Sequence, residues 1–233
     1  MSDMRKIFTS ICLAFVAAVM FMPTEASAQN SRYYIKDAID RWGECRNVAI
    51  TKYNGDIALY GLNGVAMQSI PADLDEVLTE LNAAEEYIDD IQLTEAGNWL
   101  VLYGNNGFYY RGISASLEKA LDKFNSAGET VTSVTFNDAG DWIIISTDHV
   151  QASDREIREW LAEGFSDYGK LWAACVTDDA LVAVYEDGFR FMGEIPESLT
   201  SALSDTTLDV YRLKIAGDSW FFADSNGRYH YNM

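Results

Sequence analysis

Four residues downstream of the N-terminal stretch have side chains suited to nucleophilic chemistry: Cys45, Cys175, His149 and His230. A thiol becomes a useful nucleophile only when an imidazole or another cation favours the thiolate. Cys175 is followed by Val176 in an apolar, strand-like run, which would raise its pKa rather than lower it. Cys45 stands beside Arg46, just ahead of a similar run. Neither is read as catalytic. In an oxidising compartment the two could pair, and buried free thiols pack as small apolar residues equally well. No G-x-S-x-G, H-E-x-x-H or P-loop pattern occurs.

Carboxylates are so numerous that two of them must lie near one another somewhere, so a glycosidase-type pair has no specific support. Asp75, Glu76, Glu80, Glu85 and Glu86, and again Glu156, Glu159 and Glu163, read as solvated helix faces. The turns Asp224-Ser225-Asn226-Gly227 and Asp178-Asp179 are rich in oxygen ligands but lack the spacing and late bidentate glutamate of a calcium loop. No metal and no cofactor is predicted. The remaining lead is aromatic. Tyr103 and Tyr185 each stand four residues after an anchor position of the repeat described below. Tyr109, Arg190 and Tyr229 each stand two residues after a turn glycine. On one rim they would form stacking platforms for sugar rings or a protein-binding surface. Packing between neighbouring sheets would use the same residues.

The chain that carries these groups has 233 residues, 48% hydrophobic and 13% aromatic, enough for a substantial core and too apolar for disorder. Its 36 acids against 17 bases leave a formal charge of -19, which argues against nucleic-acid partners and anionic membrane surfaces. Three cysteines and three prolines exclude a disulfide framework and a proline-rich linker.

Arg5 and Lys6 precede an apolar run from Ile7 to Met22, then Pro23 and Ala26-Ser27-Ala28. This reads as a secretory signal peptide cut between Ala28 and Gln29. The run is shorter than the roughly 20 residues of a membrane span. Residues 29–233 are then an exported, periplasmic or extracellular domain with no integral membrane segment.

An internal repeat organises that domain. Thr94-Glu95-Ala96-Gly97-Asn98-Trp99 and Asn137-Asp138-Ala139-Gly140-Asp141-Trp142 are each followed by an apolar run. Related segments centre on Ile57, Leu181 and Trp220, so the anchors Ile57, Trp99, Trp142, Leu181 and Trp220 are spaced by 42, 43, 39 and 39 residues. A short strand precedes each anchor turn. A second turn, such as Asn106-Gly107, Asp187-Gly188 or Asn226-Gly227, leads into a third strand. Only Thr147 to Val150 separate the third anchor strand from Ser153, which predicts a truncated third strand there.

After each strand trio the period changes to that of a helix. Leu74, Val77, Leu78 and Leu81 form one stripe, and Leu117, Ala120, Leu121 and Phe124 another. Ile157, Trp160, Leu161 and Leu199, Ala202, Leu203 repeat it. Pro71, Ser114, Ser153 and Pro196 stand at the helix entries. The last unit ends at Met233 without a helix, while residues 31–44 carry a helical stripe, Ile35, Ala38, Ile39 and Trp42, without strands, capped by Ser31. The N-terminal helix therefore completes the last unit. The expected fold class is a β-rich α+β repeat: five strand–strand–strand–helix units in a closed, propeller-like ring.

In layout this resembles β-propeller-like repeat proteins, and it is also similar to the five-fold pentein ring. The first resemblance implies an exported, non-enzymatic binding protein whose partner is a protein or a glycan. The second implies a cysteine enzyme acting on guanidino compounds. A structural envelope protein is a third expectation. No WD or kelch motif occurs.

Overall fold

The computed structural model describes residues 25–53 and 55–233. Among them the chain forms five helices and five three-stranded antiparallel sheets. Helix α1 (Glu25–Trp42) leads into β1 (Asn47–Ala49), β2 (Asp56–Tyr60) and β3 (Gly64–Gln68). Then come α2 (Ala72–Ala83) with β4 (Ile88–Leu93), β5 (Trp99–Tyr103) and β6 (Gly107–Arg111), and α3 (Ala115–Ala127) with β7 (Val131–Phe136), β8 (Trp142–Ser146) and β9 (Val150–Ala152). They are followed by α4 (Arg155–Tyr168) with β10 (Leu171–Val176), β11 (Ala180–Tyr185) and β12 (Gly188–Gly193), and α5 (Glu197–Asp205) with β13 (Arg212–Ala216), β14 (Ser219–Ala223) and β15 (Tyr229–Asn232). Each sheet is an open meander with its second strand in the middle, and β9 is cut to three residues.

The middle strands are apolar at successive positions because both of their faces are covered. Trp99 and Val101 pack with α2, whereas Leu100 and Leu102 pack with α3. Trp142 and Ile144 face α3, and Ile143 and Ile145 face α4. Each helix thus fills a wedge between two consecutive sheets. Helix α1 obeys the same rule: Ile35, Ala38 and Ile39 share one cluster with Val48 and Ala58 of the first sheet and Phe221 and Ala223 of the fifth. The first strands also touch in succession, β1 with β4, β4 with β7, β7 with β10, β10 with β13, and β13 with β1.

Three details differ from the sequence expectation. The anchor of the first unit is Asp56, not Ile57. Asp56 opens β2 and pairs with Gln68, as Trp99 opens β5 and pairs with Arg111. Where three of the other units put an indole and the fourth a leucine, the first buries a carboxylate, bonded to Arg32 of α1 at 3.0 and 3.1 Å. Second, α4 is capped by Asp154, whose Oδ1 accepts from Ile157 N at 2.9 Å; Ser153 instead closes the β8–β9 ladder through its backbone. Ser114 does cap α3. Third, Ser31 lies inside α1 rather than at its start. Its hydroxyl donates to Gln68 O and accepts from Asp56 N, both at 2.9 Å. The basic start and apolar run at 5–22 lie outside the described residues. No helix among the described residues is long and apolar enough to cross a membrane.

Candidate functional site

The structure disperses the residues nominated for chemistry. Cys45 is buried beside α1 and donates to Asn47 O at 3.3 Å; Cys175 is buried in β10 against α5. Both are free thiols. Burial pushes Cys45 up to about 12 and Cys175 up to about 11, the opposite of nucleophile activation. His149 is exposed and bonded at 2.9 Å to Glu129, which also accepts from Ser146. His230 packs against the ring of Phe222.

The aromatic rim does not assemble either. Tyr103 and Tyr109 stack at 5.1 Å. Tyr185, in the same repeat position as Tyr103, is only 2% exposed and donates to Leu161 O, so it offers no face to a ligand. The reason lies in the facing helix. Gly164 occupies the α4 position that Leu81 fills in α2, and a Cβ there would collide with the Tyr185 hydroxyl. Arg190 lies over Trp160 at 5.0 Å and is bonded to Glu163, so its charge is committed. Tyr229 does not share the position of Tyr109 and Arg190. Those two pair with Val101 and Ala183, two residues after their anchors, and the residue paired likewise in the fifth unit is His230, opposite Phe222. Tyr229 therefore points to the other face, where it packs on Phe221.

What does converge is a polar column built from alternate residues of the first strands. Asp90 of β4 is its centre. It accepts from Asn47 Nδ2 of β1 at 2.6 Å, from Ser133 Oγ of β7 at 2.8 Å, and from Lys214 Nζ of β13 at 3.0 Å. Lys214 also donates to Ile91 O and Gln92 Oε1, at 2.8 and 3.1 Å. Burial raises the Asp90 carboxyl, but Lys214, Arg212 and the donated hydrogen bonds outweigh it and hold the group below the usual carboxylate range. Toward the entry end of these strands, Arg212 donates to Asp89 O, and Arg46 lies 4.4 Å from the Tyr87 ring. There burial pushes Asp89 up to about 6. This column was visible as polar residues at period two inside otherwise apolar strands, Asn47, Asp90, Ser133 and Gln92, Thr135, Lys214.

At the exit end of the first strands lies a cleft of about 90 Å³. All five units line it, through Ile50, Leu93, Phe136, Val176 and Ile215 and the turns that follow them. Among the described residues its rim carries Glu95, Asp138, Asp178, Asp179 and Glu194 against a single cation, Lys52. Two of these acids bind neighbouring turns together. Glu95 accepts from Lys52 N and Tyr53 N, and Asp138 accepts from Ala96 N and Asn98 Nδ2 at 2.8 and 3.0 Å. Lys52 reaches across to Asp179 at 2.9 Å. Among the described residues no group of three or more histidine, cysteine or acidic side chains is placed to hold a metal ion. No known protein-family model matches this sequence, and no curated protein matches it either.

Proposed function

We propose that the chain closes into a ring of five sheet-and-helix units and works as an exported, non-enzymatic binding protein whose seat is the cleft at the exit end of the first strands. The observation that carries this reading is that one small depression receives residues from all five units. Closure is supported by the contact of β13 with β1 and by the cluster that α1 makes with the first and fifth sheets. The rim is suited to a cationic group presented by a protein, such as a lysine or arginine side chain. Asp178 and Glu194 add negative charge beyond the acids that hold the turns together, and a cleft of about 90 Å³ is small beside the roughly 300 Å³ and more of typical small-molecule pockets. The stacked pair Tyr103 and Tyr109 is the only part of the nominated aromatic set that could serve a glycan, and it lies away from this cleft. A cysteine enzyme is disfavoured because both thiols are buried and raised.

The test is calorimetric titration of residues 29–233 with an end-capped lysine-rich peptide. Replacing Asp178 by Asn and Glu194 by Gln together should weaken binding at least fivefold, while Tyr103→Ala leaves it unchanged. Equal binding by the wild type and the Asp178/Glu194 variant would remove the cleft from the proposal.

A further inference from the structure

At the third sheet two features coincide in space. Its edge strand β9 has three residues, against four to six in the other third strands. The helix before that sheet, α3, carries Ala120, three residues past its first buried residue Leu117, where α4 carries Trp160 three past Ile157; α5 likewise carries an alanine there, Ala202. Between α4 and the edge strand β12, Trp160 and Arg190 fill the space. Between α3 and β9 the corresponding space is open. Two adjoining hollows of about 540 and 360 Å³ run between α3 and β9 and share Lys123 and Gln151. From one hollow to the other the lining passes from Phe124 back to Ser116 on the helix, and from His149 forward to Ser153 on the strand. Helix and strand therefore run side by side and antiparallel along one groove.

The groove is basic in a chain with a formal charge of -19. Lys119, Lys123 and Arg158 line it, and none has a carboxylate partner among the described residues. Lys119 and Lys123 form no side-chain hydrogen bond or ion pair; among the described lysines and arginines only Lys170 shares that state with them. An i,i+4 lysine pair is a local repulsion in the helix, relieved in part by Asp122 three residues after Lys119. Of the acids beside the groove, Glu129 is held by His149 and Ser146, and Asp122 stands among the helix residues between the two lysines.

The geometry points to an acidic, extended peptide as the occupant, lying between α3 and the free edge of β9 with carboxylates on Lys119 and Lys123. Among the described residues strand β9 pairs only with β8, which leaves its outer edge for main-chain pairing. Four residues of helix rise about 6 Å, and two residues of strand about 6.6 Å, so acids at alternate positions of a strand match the two lysines. An anionic sugar chain would meet the same charges but would not use the strand edge. This site is separate from the exit-end cleft, and its test is independent of that reading.

The probe is a fluorescein-labelled, end-capped heptapeptide alternating glutamate and threonine, followed by fluorescence anisotropy at about 0.15 M salt, where the long-range field of the acidic chain is screened. The alternating peptide should bind, and Lys119→Glu with Lys123→Glu should weaken it at least tenfold. Lys170→Glu should change it less than twofold, and bound peptide should slow amide exchange at β9. Both lysines are exposed, and a melting curve checks that the variant folds; Lys119→Gln with Lys123→Gln replaces it if it does not. The proposal is overturned if the lysine variants bind as well as the wild type, if a peptide with its glutamates adjacent binds equally, if a galacturonate oligomer competes with equal strength, or if the alternating peptide does not bind.

Discussion

Lys214 and Asp90 stand 124 residues apart and meet at 3.0 Å with side chains only 6% and 1% exposed. Taking both charges out of water costs several kcal/mol per ion, and here the cost is offset by attraction together with a full set of hydrogen bonds. Lys214 uses three acceptors, and Asp90 also takes the side chains of Asn47 and Ser133 and the backbone N–H of Ile91 and Val134. Breaking such a pair is far worse than replacing it. Lys214→Met should therefore cost about 3 kcal/mol, because it strands the Asp90 charge, whereas adding Asp90→Asn should restore at least half of that loss. Chemical denaturation of the two variants measures both values, and equal losses would show that the pair has no coupling. The alternation that puts these side chains on one face could be read from the strands. Their partnership could not, because the units differ in residue type at each repeat position. Tyr103 and Tyr185 make the same point. One repeat position holds a half-exposed ring in one unit and a core residue in another, and the deciding residue, Gly164, sits on a different element.

At the scale of elements, the apolar stripes were legible because one-sided burial imposes a 3.6-residue period whatever the neighbours are. Leu74, Leu78 and Leu81, and Leu117, Leu121 and Phe124, are buried as their spacing requires. Helix ends were less legible, since Ser153 and Asp154 are both good cap residues and only backbone geometry separates them. Asp154 is the extended residue whose carboxylate accepts from Ile157 N. Asp154→Ala should lower stability by about 1 kcal/mol. Ser153→Ala should change it by less than about 0.5 kcal/mol, because the ladder bond from Ser153 comes from its backbone. Thermal melts of the two variants distinguish them, and a larger loss at Ser153 would contradict the cap assignment. The groove beside α3 belongs to this scale too. The short link after Trp142 foretold a short β9, but the hollow needs Ala120 as well, and a small residue in a helical stripe carries no mark of what it leaves empty.

For the whole molecule, the decisive element is α1, which the chain order places first and the packing places last. It buries Ile35 and Ile39 completely between the first and fifth sheets, and Lys36 donates to the carbonyl of Met233 at 2.9 Å. Each of those isoleucines contributes on the order of 1.5–3 kcal/mol. Docking of α1 also places Arg32 on Asp56, and a helix lacking that guanidinium would bury the carboxylate unpaired, at a cost of about 3 kcal/mol. The desolvation that already raises the Asp56 carboxyl indicates how poorly that site tolerates an unpaired charge. The two isoleucines alone come to about 3–6 kcal/mol, which reaches the low end of the 5–15 kcal/mol by which whole domains are stable. A chain of residues 45–233 should therefore lose its cooperative thermal transition, and a separate peptide of residues 29–44 should restore it by binding with both sheets. Circular dichroism melts with and without the peptide follow the effect. An Arg32→Ala peptide should restore the transition only at a concentration at least tenfold higher, because Asp56 then stays unpaired. If 45–233 alone melts like the full chain, α1 is an appendage, and the reading of a ring closed by its own N-terminus fails.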